Sequence, residues 1–269
     1  MQLKIHHRTA YHYEHPVKYS AQALRLTPRR EGRQRTISWS MYAPGRRSEQ
    51  IDAHGNITHL LTLEDLHRDI EIVVAGTVEI SDAQEIIPHE GRLSPLAYLS
   101  PTLLTATDDA LRSLAETSLT GGGSSRDRLY RLATEVRDRV KYRPGVTSVE
   151  DPAASALERG EGVCQDQAHV FIACCRAAGI AARYVSGYLY VGHDDDAASH
   201  AWVDAWMEDT QAWLGVDVTH AGPTGMKHCR LAVGRDYLDA APVRGVRRGG
   251  GREVLDVDVT VTQTVEQQQ

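Results

Sequence analysis

The chain has 269 residues, 41% hydrophobic and 25% charged, so it can bury a core and is not expected to be disordered. Its 30 Lys+Arg against 36 Asp+Glu give a formal charge of −6, which argues against a nucleic acid or an anionic membrane as the main partner. No run approaches the ~20 apolar residues of a membrane span, and four cysteines without a CxxC pair argue against a disulfide framework or a structural zinc site and suit a reducing cytoplasm.

Residues 1–15 lack an apolar core and a cleavage site, and are not expected to be a signal peptide. Leu3–His7 opens a strand, and Tyr11–Tyr13 continues after a short break. Gln34–Met41 alternates around Ile37 and Trp39. Asp52–Asn56 supplies a turn, Asn56–Leu63 alternates again, and Asp69–Ile80 adds a last strand. These segments form a β-rich region over 1–90. The arginine runs Arg29-Arg30, Arg46-Arg47 and Arg244–Arg252 are read as solvated loop charges.

Pro88, Pro95 and Pro101 mark a linker or irregular cover. Helical patterns follow over Thr107–Leu119, with Thr107 or Asp108 as N-cap, and over Ser125–Val140, with a short helix near Asp151–Glu158. A buried helix runs from Cys164 to Gly179, and strands are expected at Ala182–Val191, Ser199–Met207, Ala212–Thr219 and Glu253–Thr262, the last closing their sheet. Helices followed by strands indicate an α+β region over 91–269.

Only one cysteine sits at a junction: Cys164 follows the glycine-rich turn Gly160–Val163 and starts the helix. Free N–H groups and the macrodipole of a helix N-terminus stabilise a thiolate, the reactive form of cysteine. Two readings stand at this point, a small buried apolar residue or a nucleophile. A nucleophile needs a base and a group that orients it, and His200 and Asp217 on successive strands are the candidates. A four-residue loop, Glu208–Gln211, opposes Met207 to Ala212 and makes His200 and Asp217 diagonal neighbours on one face. A two-residue loop, Glu208-Asp209, makes them face directly; an odd-length loop separates them. Asp204 is the runner-up orienter. His169 reads as a structural hydrogen-bonding residue, Asp166 as a complement to the helix dipole, Cys174 and Cys175 as packing residues, and Asp194–Asp196 as a solvated loop. Cys229, in the polar stretch Lys227–Arg230, reads as the rival exposed thiol. There is no HExxH, and the histidines of residues 6–15 have no accompanying carboxylate cluster, so neither a metal nor another cofactor is expected.

The stretches GVCQDQAHVFIACCRAAGIAARYVSGYLY, SHAWVDAWM and WLGVDVTH resemble, in order, the motifs of the transglutaminase-like superfamily in its bacterial, cysteine-protease-like branch. HHRTAYHYEHPVKYSAQALRLTPR and DAHGN look like the β-rich N-terminal domain that accompanies this core in bacteria. The resemblance implies a papain-like core, with Cys164 matching the nucleophile, His200 the base and Asp217 the orienting carboxylate. The last motif departs from the usual D-P-T-N and reads Asp217-Val218-Thr219-His220, which removes a proline and adds an imidazole. It implies amide or acyl chemistry through a thioester on a peptide or protein substrate. Hydrolysis of a peptide or isopeptide bond is the first expectation, because no acidic calcium-type loop or extra segment is seen that would exclude water. Glutamine–lysine acyl transfer and a catalytically silent binding module are the alternatives.

Overall fold

The computed structural model describes residues 1–81, 86–89, 93–192 and 199–264, so the expected loop Asp194–Asp196 lies outside the described residues. The first half is organised by one strand. β1 (Gln2–Leu24) is continuous through the expected break, because Thr9 turns inward between the outward Arg8 and Ala10. It is followed by β2 (Gln34–Tyr42), β3 (Arg46–Ile51), β4 (Ile57–Leu63) and β5 (His67–Ile80), in the sheet order β2-β5-β1-β4-β3. The irregularity falls instead between His12 and Val17, where the β1–β5 register shifts. Pro16 lies there and has no N–H to give the ladder. In the β3–β4 turn the Asp52 carboxylate accepts from the backbone N–H of His54 and Asn56 at 3.0 and 2.9 Å, and Gly55 supplies a φ of 79°.

The second half follows the short strand β6 (Ile86–Pro88) with α1 (Asp109–Leu119), α2 (Ser125–Arg139), β7 (Lys141–Tyr142), α3 (Ala153–Arg159), β8 (Glu161–Gly162) and α4 (Cys164–Ala177). Asp108 is the cap of α1, accepting from the Leu111 N–H at 2.8 Å. Then come β9 (Ala182–Leu189), β10 (Ser199–Met207), β11 (Ala212–Asp217), β12 (Gly222–Pro223), β13 (His228–Gly234), α5 (Tyr237–Ala240), β14 (Val243–Gly249) and β15 (Glu253–Thr264). The second sheet has the order β12-β11-β10-β9-β13, with β6 beside β11. Ala201, Val203, Ala205 and Met207 of β10 share a core with Ala168, Phe171 and Ile172 of α4. Alternation turns Trp202 and Asp204 to the opposite face.

The segment Glu253–Thr262, expected to close the second sheet, instead joins the first as β15, with Thr9 opposite Val257 and Tyr11 opposite Leu255. β14 joins the same sheet against Val17–Leu24. The chain thus returns to its first strand at its end. No helix among the described residues is long and apolar enough to cross a membrane.

Ion pairs and hydrogen bonds tie the two sheets together. Arg230 of β13 reaches Asp204 of β10 at 2.9 Å and Glu31, between β1 and β2, at 3.0 Å. Arg183 bonds Asp204 at 2.8 Å and Arg29 bonds Glu31 at 2.6 Å. Arg29, read from sequence as a solvated loop charge, is therefore buried, because a carboxylate and the Asn56 and His54 oxygens await its guanidinium. Asn56 adds a paired contact: its amide oxygen accepts from the Val233 N–H and its NH₂ donates to the Val233 carbonyl, both at 2.8 Å. Burial raises the cost of ionising Asp204, but Arg230 and Arg183 outweigh it and hold its carboxyl down at about 2. A carboxyl depressed in the folded state contributes stability that is complete above its unfolded value of ~3.9 and is lost as pH falls through the folded one. Asp204→Asn leaves buried guanidinium groups without their anion. It is expected to cost about 3–5 kcal/mol in urea unfolding at pH 7, with a smaller difference from the parent chain below pH 3.

Candidate active site

The first turn of α4 is shaped by the residues before it. Gly160 ends α3 with a φ of 76°, and Val163 is extended. The Asp166 carboxylate reaches back to accept from the Val163 N–H at 2.7 Å and from the Thr147 hydroxyl at 2.8 Å. A Cβ on Gly162 would stand 2.7 Å from Asp166 Cβ, so the turn needs glycine there. Asp166 thus does more than complement a dipole; it closes the helix start. Cys164 is left partly exposed on the first turn, whereas Cys174, Cys175 and Cys229 have no exposure.

The β10–β11 register opposes Met207 to Ala212 and Val203 to Val216. This is the four-residue-loop alternative, and it puts His200 and Asp217 on one face as diagonal neighbours. His200 Nε2 and Asp217 Oδ2 are 3.0 Å apart, and Cys164 engages the same imidazole. Gly187 lies opposite His200 on β9, where a Cβ would meet the Cys229 carbonyl and the Trp202 ring at 2.2 and 2.4 Å. The structure therefore brings together all three residues singled out from sequence.

It also adds two. His220 Nδ1 and His228 Nε2 lie 2.8 and 3.0 Å from the same Oδ2 of Asp217. The Gly225 N–H donates to His228 Nδ1 at 3.1 Å, so Nε2 carries the proton and His228 is a neutral donor. His228 was not legible as a site residue: it lies in a stretch, KHCR, that looks polar and carries no strand alternation. His220 was noticed only as an added imidazole; it is half-exposed and bonds the buried carboxylate.

These contacts set the charges. Burial alone would push the His200 imidazole down, but its hydrogen bonds to Asp217 and Cys164 raise it to about 10. Burial of Asp217 opposes its ionisation, yet hydrogen bonds from His200, His220 and His228 carry its carboxyl far below the usual range. Burial lowers His228, against the pull of Asp217. Among the described residues, His200, Asp217 and His228 bring potential metal-ligand atoms within 4.8 Å of one another. A metal on His228 Nε2 would require the other tautomer and would cost the bond from Gly225.

The remaining sequence candidates fall outside this cluster. Asp204 shares a strand face with His200 but is enclosed by Arg183 and Arg230. His169 is wholly buried; its Nε2 accepts from the Tyr237 N–H at 3.1 Å, and burial pushes the ring down to about 3. Burial pushes the Cys174 thiol up to about 12 and holds Cys175 well above the ordinary thiol value. Cys229 is no exposed rival. It alternates inward on β13 against Tyr188 and Leu231 in the core of the first sheet, and burial raises its thiol as well.

The family model of the transglutaminase-like superfamily matches residues 112–218, and that of the bacterial transglutaminase-like N-terminal region matches residues 3–79. The chain is 31% identical over 279 residues to an uncharacterized protein of Mycobacterium leprae, covering 97% of this chain and 98% of that one. It is 32% identical over 290 residues to one of Mycobacterium tuberculosis, covering 96% and 91%. A protein-glutamine gamma-glutamyltransferase of Pseudomonas aeruginosa is 30% identical over 141 residues, 44% of this chain and 20% of that protein. A "putative cysteine protease" of Cytophaga hutchinsonii has the same fold, with a TM-score of 0.78 at 23% identity over 98% of this chain and 92% of that one. Fold and sequence together make this chain a member of the transglutaminase-like superfamily that carries the bacterial transglutaminase-like N-terminal region.

Proposed function

We propose that the protein is a cysteine-dependent amide hydrolase acting on a peptide or isopeptide bond through a thioester. The observation that carries this reading is the chain of contacts from the partly exposed Cys164, at a helix start, through the His200 imidazole to the ionised Asp217. Cys164 Sγ attacks the amide carbonyl and its proton rests on His200. The tetrahedral intermediate collapses, the C–N bond breaks, and the leaving amine takes the proton from His200. Water, deprotonated by His200, then cleaves the thioester and restores the thiol. Asp217 holds the imidazole through Nε2, leaving Nδ1 for the sulfur. Cys164 is the first residue of α4, so its N–H has no acceptor within the helix and suits a developing oxyanion. One such donor is typically worth about 3 kcal/mol. Acyl transfer to an amine is the second reading, favoured by the partial similarity to the gamma-glutamyltransferase.

Three outcomes follow for the native protein. Limiting iodoacetamide is expected to modify Cys164 alone, because the other three thiols are buried, and His200→Ala is expected to slow the reaction about tenfold or more. Peptide mapping by mass spectrometry reads both, and preferential labelling of Cys229 would count against the assignment.

The second outcome concerns pH. A histidine raised on folding contributes stability that is complete below its unfolded value of ~6.5 and is lost as pH rises through the folded value. Since the imidazolium also protonates the leaving amine, the alkaline limb of turnover is expected near about 10. A pH–rate profile that falls near 6.5 would remove His200 from this role.

Thirdly, turnover is expected to survive exhaustive dialysis against a chelator. Loss of activity, restored by zinc or calcium, would instead make His200, Asp217 and His228 a metal centre.

A further inference from the structure

The cleft containing Cys164 and His200 is built by both halves of the chain. On one side stand Cys164 and Gln165 of α4, Tyr184 and Gly187 of β9, and His200 of β10. On the other, His7, Thr9 and Tyr11 alternate onto one face of β1, and Val257 and Leu255 stand beside Thr9 and Tyr11 on β15. The cleft has a volume of about 280 Å³.

The chemistry of this lining is one-sided. Among the described residues, no Asp, Glu, Lys or Arg lines the cleft. The one imidazole besides His200 is His7, and both of its nitrogens are taken, Nδ1 by the Tyr188 hydroxyl at 2.8 Å and Nε2 by the Thr9 hydroxyl at 2.9 Å. Lys4 and Arg8 of β1 and Asp256 and Asp258 of β15 alternate to the other face, where Arg8 bonds Glu71 at 2.7 Å and Asp256 at 2.8 Å, while Glu253, one step beyond Leu255 on the cleft's face, pairs with Arg247 at 3.3 Å. Leu255 and Val257 are 51% and 49% exposed, so their apolar surface beside the nucleophile is left for an incoming group to cover. The His200 imidazolium is already matched by Asp217, so a charged side chain entering here would lose water and meet no free counter-ion among the described lining residues, a loss a neutral side chain does not incur.

We propose that the cleft selects an acyl donor whose side chain next to the reacting carbonyl is neutral and apolar, and that β15 reads it through Leu255 and Val257. This rests on the reading of Cys164 as nucleophile.

A matched set of peptidyl chloromethyl ketones tests it, identical except for Leu, Phe, Gln, Glu or Lys next to the warhead. Alkylation of Cys164 is followed by intact mass and peptide mapping, and each rate is divided by the iodoacetamide rate of the same protein. The Leu and Phe probes are expected to react at least about tenfold faster than the Glu and Lys probes, within the usual range for apolar pockets. Val257→Asp, at a half-exposed position, is expected to shift the preference toward the Lys probe, with thermal melting confirming that the variant is folded. Glu or Lys probes as fast as Leu, at a normal iodoacetamide rate, overturn the selectivity and leave the nucleophile standing. An unchanged preference in folded Val257→Asp overturns the role of β15. A Cys164 inert to iodoacetamide and to every probe overturns both the selectivity and the catalytic reading.

Discussion

Arg230 is gripped by carboxylates from both halves of the chain, Asp204 from the sheet that carries His200 and Glu31 from the stretch that leaves β1. Arg183 and Arg29 flank them, so three guanidinium groups share two carboxylates in a region almost closed to water. Such burial is expensive, and apolar residues of the same volume can be as stable. What the ion pairs add is direction, because a planar guanidinium bonds carboxylates along fixed lines. The Asn56 amide adds a second fixed contact at Val233. Between them these contacts determine how the sheet of β1 meets the sheet of β10.

That meeting determines the cleft. Cys164 and His200 are carried by α4 and β10, but the surface they face belongs to β1 and β15. β14 and β15 come from the last part of the sequence and run one after the other along almost the full length of the first strand. A change in the tilt between the sheets would leave the thiol and the imidazole in contact and still alter the surface that faces them. The ion pairs around Arg230 therefore bear on the shape of the cleft, while the contacts of Asp217 bear on the orientation of His200.

Much of this was legible in the sequence, and what was not has physical causes. The α4 helix, its flanking glycines and the strands Ser199–Met207 and Ala212–Asp217 were readable because they are buried and strongly patterned. The β10–β11 register was left open between a four-residue, a two-residue and an odd-length loop, because the turn residues Glu208–Gln211 favour no single loop length. β3 and β14 were invisible: RRSEQI and VRGVRRG expose nearly every residue, so they leave no hydrophobic alternation. The destination of β15 was misread because alternation marks a strand without naming its partner. Arg29 and Cys229 were misread for one shared reason. Each lies in a locally polar stretch, and burial there depends on partners remote in sequence, His54 and Asn56 for the first and the core of the first sheet for the second.

The turn after Asp217 lacks the proline that its resemblance leads one to expect, and side-chain hydrogen bonds restrain it instead. The His220 N–H and ring both return to the Asp217 carboxylate, and the Ala221 N–H closes onto the Val218 carbonyl at 3.2 Å. The Thr219 hydroxyl donates to the Gln167 Oε1 at 2.7 Å, while the Gln167 NH₂ donates to the Val140 carbonyl at 2.8 Å. Gln167 lies three residues after Cys164 on the same helix, so the turn carrying Asp217 is fastened to the helix carrying the thiol. His228, locked as an Nε2–H donor by Gly225, restrains the same carboxylate oxygen from β13. An oxygen that accepts from three imidazoles on three segments has little freedom to rotate. The direction of the His200 ring is then fixed at one nitrogen, and its other nitrogen is left for Cys164.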